Sequence, residues 1–522
     1  MAAEQAPTRP ATNPWFIAVS VMLATFMEVL DTSIAAVALP YIAGSLSATN
    51  DEATWVLTSY LVANAVILPA SSWFSLRFGR KRFLVSCIVI FTISSFLCGA
   101  APSLAIILIA RAVQGAGGGA LQPLSQSILL ESFPADKRGL AMAVFALGVV
   151  VAPVLGPTLG GWLTDTYSWR WAFYINIPVG MFAVFMILRY VEDPPYIKEA
   201  KPGKLDGIGL GLLAVWLGCL QVILDKGQED DWFGATWIGW ASLILVVCLV
   251  AFLIREFRIE KPLVNLRVFR HRNFTLGCLL IGMFGAALYG LVTLLPLFYQ
   301  ELMGYTALAA GWAVSPRGIG AILAMPIIGM LTAKIDNRWL IVSGFLLFAV
   351  SSLRFGQATL GISEWSFLWA IILSGFGSGC VFVPLSTTTM AGLKNEEIGN
   401  ASGLYNLLRN IGGGIGIAVV NTLIARRQQL HRTELVHSVT SGNVTVVGEL
   451  HALEHFFQTQ GASASQALNR AYGLINGTVN QQALLWSYVD DFRYMALLCF
   501  ACIPVALALK KTAGRRGVGA GH

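Results

Sequence analysis

Stretches long enough to cross a bilayer recur along this 522-residue chain, with little sequence left between them. A helical crossing takes about 20 mostly apolar residues. Fourteen segments qualify, at roughly 15–40, 53–73, 83–101, 104–130, 139–163, 171–189, 205–224, 235–254, 274–299, 307–332, 339–357, 365–390, 399–424 and 491–510. In hydrocarbon every peptide group must find its partner within the segment, which predicts helices. Only 12% of residues are charged and the mean hydropathy is +0.67. A soluble domain carries about twice that charge, so a soluble enzyme is excluded. The eight cysteines all fall in apolar stretches, which offers neither a disulfide framework nor metal-ligand spacing. The run after the polar start MAAEQAPTRPATN is too long for a signal-peptide core and lacks a cleavage site, so it is expected to stay as the first span.

The connecting segments alternate in charge. After the second span come Arg77, Arg80, Lys81 and Arg82; after the fourth, Lys137 and Arg138; after the sixth, Lys198, Lys201 and Lys204. A basic run from Arg255 to Arg272 follows the eighth, Lys334 and Arg338 the tenth, then Lys394, and the chain ends on Lys510, Lys511, Arg515 and Arg516. The other loops carry mainly acids, such as Asp51, Glu52, Asp165, Glu301 and Glu364. Basic loops stay cytoplasmic, so the net charge of +7 marks loops rather than a nucleic-acid partner. Both termini are expected in the cytoplasm, as an even number of spans requires.

The chain also repeats itself. PASSWFSLRFGRKRFL from Pro69 aligns with PIIGMLTAKIDNRWLI from Pro326, Pro123-Leu124-Ser125 with Pro384-Leu385-Ser386, and Gly156 with Gly416. Six spans therefore repeat as six, which is the build of one large transporter class. The expected organisation is a cytoplasmic tail 1–14, a six-helix bundle 15–190, and a linker 191–272 with two extra spans. A second six-helix bundle, 273–510, follows with a largely helical external loop at 425–489, then a cytoplasmic tail 511–522.

Charges inside the spans carry the functional signal. Glu28 and Asp31 sit near the middle of the first span, three residues apart and so on one helical face. A carboxylate in hydrocarbon costs a few kcal/mol at least, roughly 3 on insertion scales, and such residues face a cavity and have a task. Thr25 and Thr32 flank that face and can hydrogen-bond either protonation state. Arg111, with Gln114 one turn on, lies inside the fourth span, stays charged, and must find a partner. Glu28 and Asp31 are the candidates. The pattern fits a proton site or a permanent ion pair joining the two spans. In the fifth span, APVLGPTLGGWL combines Pro153 and Pro157, which remove backbone donors, with Gly156, Gly160 and Gly161, which permit close packing. That suits a kinked packing helix or a flexing seam between the halves. HALEH at 451–455 has no third ligand beside it, Gly115-x-Gly117-x-x-Ala120 follows no strand, and no phosphate-binding loop occurs. The proton gradient, without a cofactor, is therefore the expected energy source.

These motifs together resemble the major facilitator superfamily. LDTSIAAVALP resembles the first-span signature of its fourteen-span drug/proton antiporters, LIARAVQGAGGG the fourth-span motif, and APVLGPTLGGWL the fifth-span antiporter motif. SSWFSLRFGRKR stands where the family has G-x-L-a-D-R-x-G-R-K, with Gly79 and Arg80 matching; WRWAFYINIPVG, RNFTLG and ASGLYNLLRNIGGGIGIA extend the likeness over nearly the whole chain. It is similar to the EmrB/QacA type, and the long penultimate loop before QQALLWSYVDDFR is more like EmrB of Gram-negative bacteria.

The resemblance implies an all-helical fold of two six-helix bundles plus two inserted helices, working as a proton-driven multidrug exporter rather than an enzyme. It gives Asp31 and Arg111 proton-coupling roles; Glu28 lies outside the usual motif and is added on the residue argument alone. A central cargo cavity is expected to draw on Gln114, Tyr289, Phe298, Phe376, Tyr405, Asn406 and Arg409. An EmrA-like periplasmic adaptor and a TolC-like outer-membrane channel are implied as partners. One departure stands out: the family's loop Asp is Leu76 here. Either the latch that Asp makes between the halves is weaker, or Arg77 and Arg80 use other partners. Export of a native metabolite, peptide or siderophore fits the same residues, and a non-transporting sensor is the rival of another class.

Overall fold

The computed structural model describes residues 13–511 apart from 135, 200–202, 204, 261 and 441. The terminal tails, Lys201, Lys204 and Lys261 thus lie outside the described residues, save for the ends of the tails. The first half comprises α1 (Pro14–Ser45), α2 (Asn50–Phe78), α3 (Arg80–Ala100), α4 (Leu104–Gly118), α5 (Leu121–Ser132), α6 (Arg138–Thr166), α7 (Trp171–Tyr174) and α8 (Asn176–Tyr190). A short α9 (Pro195–Glu199) leads to an inserted pair, α10 (Gly207–Lys226) and α11 (Thr236–Arg258). The second half holds α12 (Arg272–Leu297), α13 (Ala307–Val314), α14 (Pro316–Leu331), α15 (Asn337–Phe355), α16 (Leu368–Met390), α17 (Asn395–Ser438), α18 (Val444–Thr459) and α19 (Ala464–Leu507).

Breaks inside spans have local causes. The fourth span divides into α4 and α5 at Gly119–Ala120 because Pro123 has no N–H for the Gly119 carbonyl and glycines crowd the turn before it. The tenth divides at Ser315–Pro316, where the Ser315 hydroxyl and backbone N–H both donate to the Trp312 carbonyl that Pro316 leaves free. The fifth does not divide: α6 runs unbroken through Pro153 and Pro157.

Thirteen helices among the described residues are long and apolar enough to cross a membrane. The fourteenth expected span is the C-terminal part of α19, whose start carries Asp490, Asp491 and Arg493. It packs on α12, α15 and α17 like its neighbours. The expected loop 425–489 is mostly helix. α17 continues to Ser438, and α19 runs unbroken from Ala464 through Gly473 and Gly477. α18 between them buries no residue.

Within the first half α1 packs on α6, α5 and α8, and α4 on α2 and α3. Within the second, α12 packs on α17, α16 on α14 and α15, and α19 on α15 and α17. The halves meet along two seams, α6 against α13, α14 and α16, and α17 against α2 and α5. α10 wedges beside the second seam, contacting α2 and α17. α11 presents Trp240, Val247, Val250 and Phe257 outward, an apolar face suited to lipid.

Candidate functional site

Asp31 and Arg111 are both fully buried and form a salt bridge at 2.5 Å. The other Asp31 oxygen accepts from the Gln114 amide at 2.9 Å and the Asn176 amide at 2.6 Å. Ser95 holds both amides from behind, accepting from Gln114 at 3.2 Å and Asn176 at 2.9 Å. Arg111 also donates to the Val56 carbonyl at 3.0 Å and to the Gln114 carbonyl oxygen at 2.7 Å, and its guanidinium lies 4.2 Å from the Tyr60 ring centre. Four spans thus converge on one carboxylate. Such a pair in a dry interior is strongly interdependent, because losing either member leaves the other charged and unpaired.

Glu28 does not join that pair. Its carboxylate accepts from Tyr60 at 3.3 Å, Asn64 at 3.1 Å and the Gln122 amide. The Gln122 carbonyl in turn accepts from Arg409 of α17, so Glu28 reaches the second half through one amide. One turn on, Asn406 donates to Gln126 at 2.7 Å across the same seam. Tyr60 stands between the two acids, donating to Glu28 while its ring faces Arg111. Its placement comes from glycine. Gly115 and Gly119 lie against the α2 backbone at Tyr60 and Asn64, where any Cβ would clash with a carbonyl oxygen. Thr25 and Thr32 take no part, donating instead to the Val21 and Val29 carbonyls of their own helix.

The fifth-span motif lies where α1 and the second half meet. Gly156 sits against Ser33 and Gly160 against Ile34, while Gly161 only touches Leu308. Ser33 donates at 3.2 Å to the Pro153 carbonyl, the acceptor orphaned because Pro157 has no N–H. On the far side Pro153, Val154 and Pro157 line a cavity of about 30 Å³ with Leu295, Pro296 and Arg317. Arg317 is buried, has one guanidinium nitrogen without a partner, and has no carboxylate within ion-pair distance among the described residues.

The Leu76 departure has a structural answer. Arg80 makes a bidentate bridge to Glu131 of α5 at 2.9 and 3.0 Å and donates to the Tyr196 hydroxyl at 2.6 Å. Tyr196 also donates to Glu131 and lies 3.5 Å from the Asn395 carbonyl of the second half. Arg77 is exposed. Gly79 turns the chain with φ of +87°, and a Cβ there would press on Asp193, whose carboxylate accepts from the Lys81 N–H at 2.7 Å and caps α3.

The cargo candidates scatter. Gln114 belongs to the Asp31 site, and Asn406 and Arg409 to the seam. Tyr405 is fully buried with its hydroxyl unpartnered. Phe376 is half-buried on α16, and Tyr289 packs on Gly413. Phe298 is far from such a role: it is locked in an aromatic cluster with Tyr299, Phe367, Tyr488 and Phe492. Sequence reasoning missed Tyr60, Asn64, Ser95, Gln122, Glu131 and Asn176. For Tyr60, Asn64 and Gln122 the signal was polar residues spaced four apart in apolar spans, as in Tyr60/Asn64 and Gln122/Gln126.

Residues 21–417 match the family model of the Major Facilitator Superfamily. The chain is 38% identical to the fatty acid resistance protein FarB of Neisseria gonorrhoeae, over 97% of each chain. It is 36% identical to the multidrug export protein EmrB of Escherichia coli K12, over 96% of each. Among solved structures, the human organic anion transporter MFSD10 (TETRAN) superposes with a TM-score of 0.57 at 15% identity, covering 94% of this chain and 100% of that one. The chain therefore belongs to the major facilitator superfamily of transporters and is a multi-pass protein of the bacterial inner membrane.

Proposed function

We infer that the protein exports amphipathic toxic small molecules in exchange for inward-moving protons. The observation that carries this reading is Asp31, a fully buried carboxylate whose one strong counter-charge, Arg111, sits on another helix. Protonating Asp31 cancels the ion pair and frees Arg111 to turn to Gln114, Val56 and Tyr60, contacts it already makes. A proton arriving on Asp31 is therefore felt directly by Arg111 and its contacts, as coupling requires. Glu28, tied through Gln122 to Arg409, passes a change at Tyr60 to the seam between the halves. The names of the EmrB and FarB relatives support efflux of drugs and other amphipaths. The α17–α19 hairpin supports docking of a periplasmic adaptor that hands cargo to an outer-membrane channel.

The test is proton movement in inverted vesicles under an imposed pH gradient, challenged with lipophilic cations, weak acids and antibiotics. Cargo-induced proton release is expected from the wild type and lost in Asp31→Asn. Release that survives in Asp31→Asn would move coupling away from this acid. Silence of the wild type towards every compound would sink the multidrug reading.

A further inference from the structure

Asp491, on α19, is fully buried, and neither of its carboxylate oxygens has a hydrogen-bond partner. Its neighbour Asp490 takes the nearby partners, with Oδ2 3.0 Å from His431 Nε2 and 3.8 Å from Arg427 Nε. Arg427 is further engaged by the Tyr494 hydroxyl, and His431 Nδ1 lies 3.6 Å from Glu434. These groups form the base of the hairpin, where α17 and α19 leave the bundle.

The other elements packed on this part of α19 offer Asp491 no cation. The turn after α12 brings Glu301, which accepts from Tyr488 at 2.7 Å. From α15 comes Phe355, its ring against Phe492, while Arg354 bonds Gln357 and lies over Phe367. The α19 residue Arg493 has its stem against Gly356, just past the end of α15. α12 reaches the next turn of α19 at Gly290, which lies against both Met495 and Val420 of α17.

A bare carboxylate left dry and unpaired is far costlier than its neutral acid. We propose that Asp491 is a second proton-binding site, in the second half of the transporter, which empties only when α17 and α19 part at the base of the hairpin. In the closed form its O–H bond is intact. Ionisation breaks that bond and passes the proton to water admitted between the helices, and the new carboxylate then competes with Asp490 for Arg427. Protonation thereby holds the hairpin base shut.

Two measurements on the purified full-length protein in lipid test this, and neither needs a known cargo. The first is the infrared difference spectrum at neutral pH of wild type minus Asp491→Asn. It is expected to show one protonated-carboxyl C=O band, whereas a carboxylate band in its place overturns the proposal. The second is amide hydrogen exchange of residues 425–438 and 484–494 against pH, corrected for the intrinsic rate. Wild-type protection is expected to fall about tenfold per pH unit once the acid begins to ionise, the linkage of one released proton. In Asp491→Asn it should stay flat; a parallel fall in both proteins overturns the proposal. Asp491→Leu, equally neutral, should fold like Asp491→Asn. Collapse of both variants would show that the site needs an anion, which also overturns it.

Discussion

The two halves treat buried charge differently. In the first, Asp31 meets Arg111, Glu28 meets three donors, and Arg80 meets Glu131 with a second contact to Tyr196, so each of these charges has a partner although Arg80 Nε and Arg111 Nη2 are left over. In the second, Arg317 has no carboxylate in reach, Arg409 leaves Nε and Nη1 without partners, and Asp491 leaves both oxygens bare. A satisfied network fixes one geometry, whereas an unsatisfied charge stores a bias towards whatever partner arrives. The comparison casts the first half as the part whose buried charges are nearly all paired and the second as the part whose buried charges lack counter-charges.

Breaking the first half's central pair should give the largest effect. Asp31→Asn strands Arg111 in a dry site and is expected to cost about 3–5 kcal/mol of stability, read as a fall in thermal midpoint in detergent. Asp31→Asn with Arg111→Gln should recover most of that loss, since no bare charge then remains. If the double variant is no more stable than Asp31→Asn, the pair is not the unit of stability described here. Glu131→Gln comes next. It removes the charge from the bidentate bridge to Arg80, and about 1.5–3 kcal/mol should be lost in the same assay. An unchanged midpoint would mean that Arg80 does not depend on this acid, and that Leu76 marks a latch simply given up.

How far the sequence foretold this contrast depends on the residue. The spans, the internal repeat and the Asp31–Arg111 pairing were legible because hydropathy and an intramembrane charge each leave few choices. Glu131 was not, since an acid near the end of a span looks like any interfacial residue until Arg80 is seen folded onto it. Asn176 and Ser95 are neutral, so nothing in the text of the chain marks them as the shell behind Asp31. The aromatic cargo candidates were hard to read for another reason. Phe298 has the composition of a binding residue, but its spacing cannot distinguish a cavity wall from the cluster it occupies. The loop 425–489 was legible as largely helical, but Gly473 and Gly477 weaken a helix and hid that α19 runs through both without a break.

Arg317→Met sharpens the comparison by reversing its sign. Where breaking the first half's pairs destabilises, replacing an uncompensated buried cation with an apolar side chain of similar length should raise stability by about 1–2 kcal/mol. The thermal midpoint should therefore rise. A fall of similar size would reveal a counter-charge that Arg317 meets in another conformation, and would place the second half's electrostatics closer to the first's.

The smallest effect concerns the helix that joins the two halves. Pro157 has no N–H, so the Pro153 carbonyl would be unsatisfied inside α6, and Ser33 of α1 supplies the donor at 3.2 Å. Ser33→Ala removes that donor and should cost about 0.5–1.5 kcal/mol, the net value of one neutral hydrogen bond. Gly156 bears on the same contact, because its missing Cβ is what lets Ser33 approach. Gly156→Ala should therefore cost more than Ser33→Ala, and in the Ser33→Ala background it should cost somewhat less than it does alone, since one of the two Ser33 atoms it would strike, the hydroxyl, is gone while the Cβ remains. Measured together by thermal unfolding, the two changes should be non-additive. If they simply add, α1 and α6 do not meet through this pair, and the first half is less rigid along its inner face than its buried charges imply.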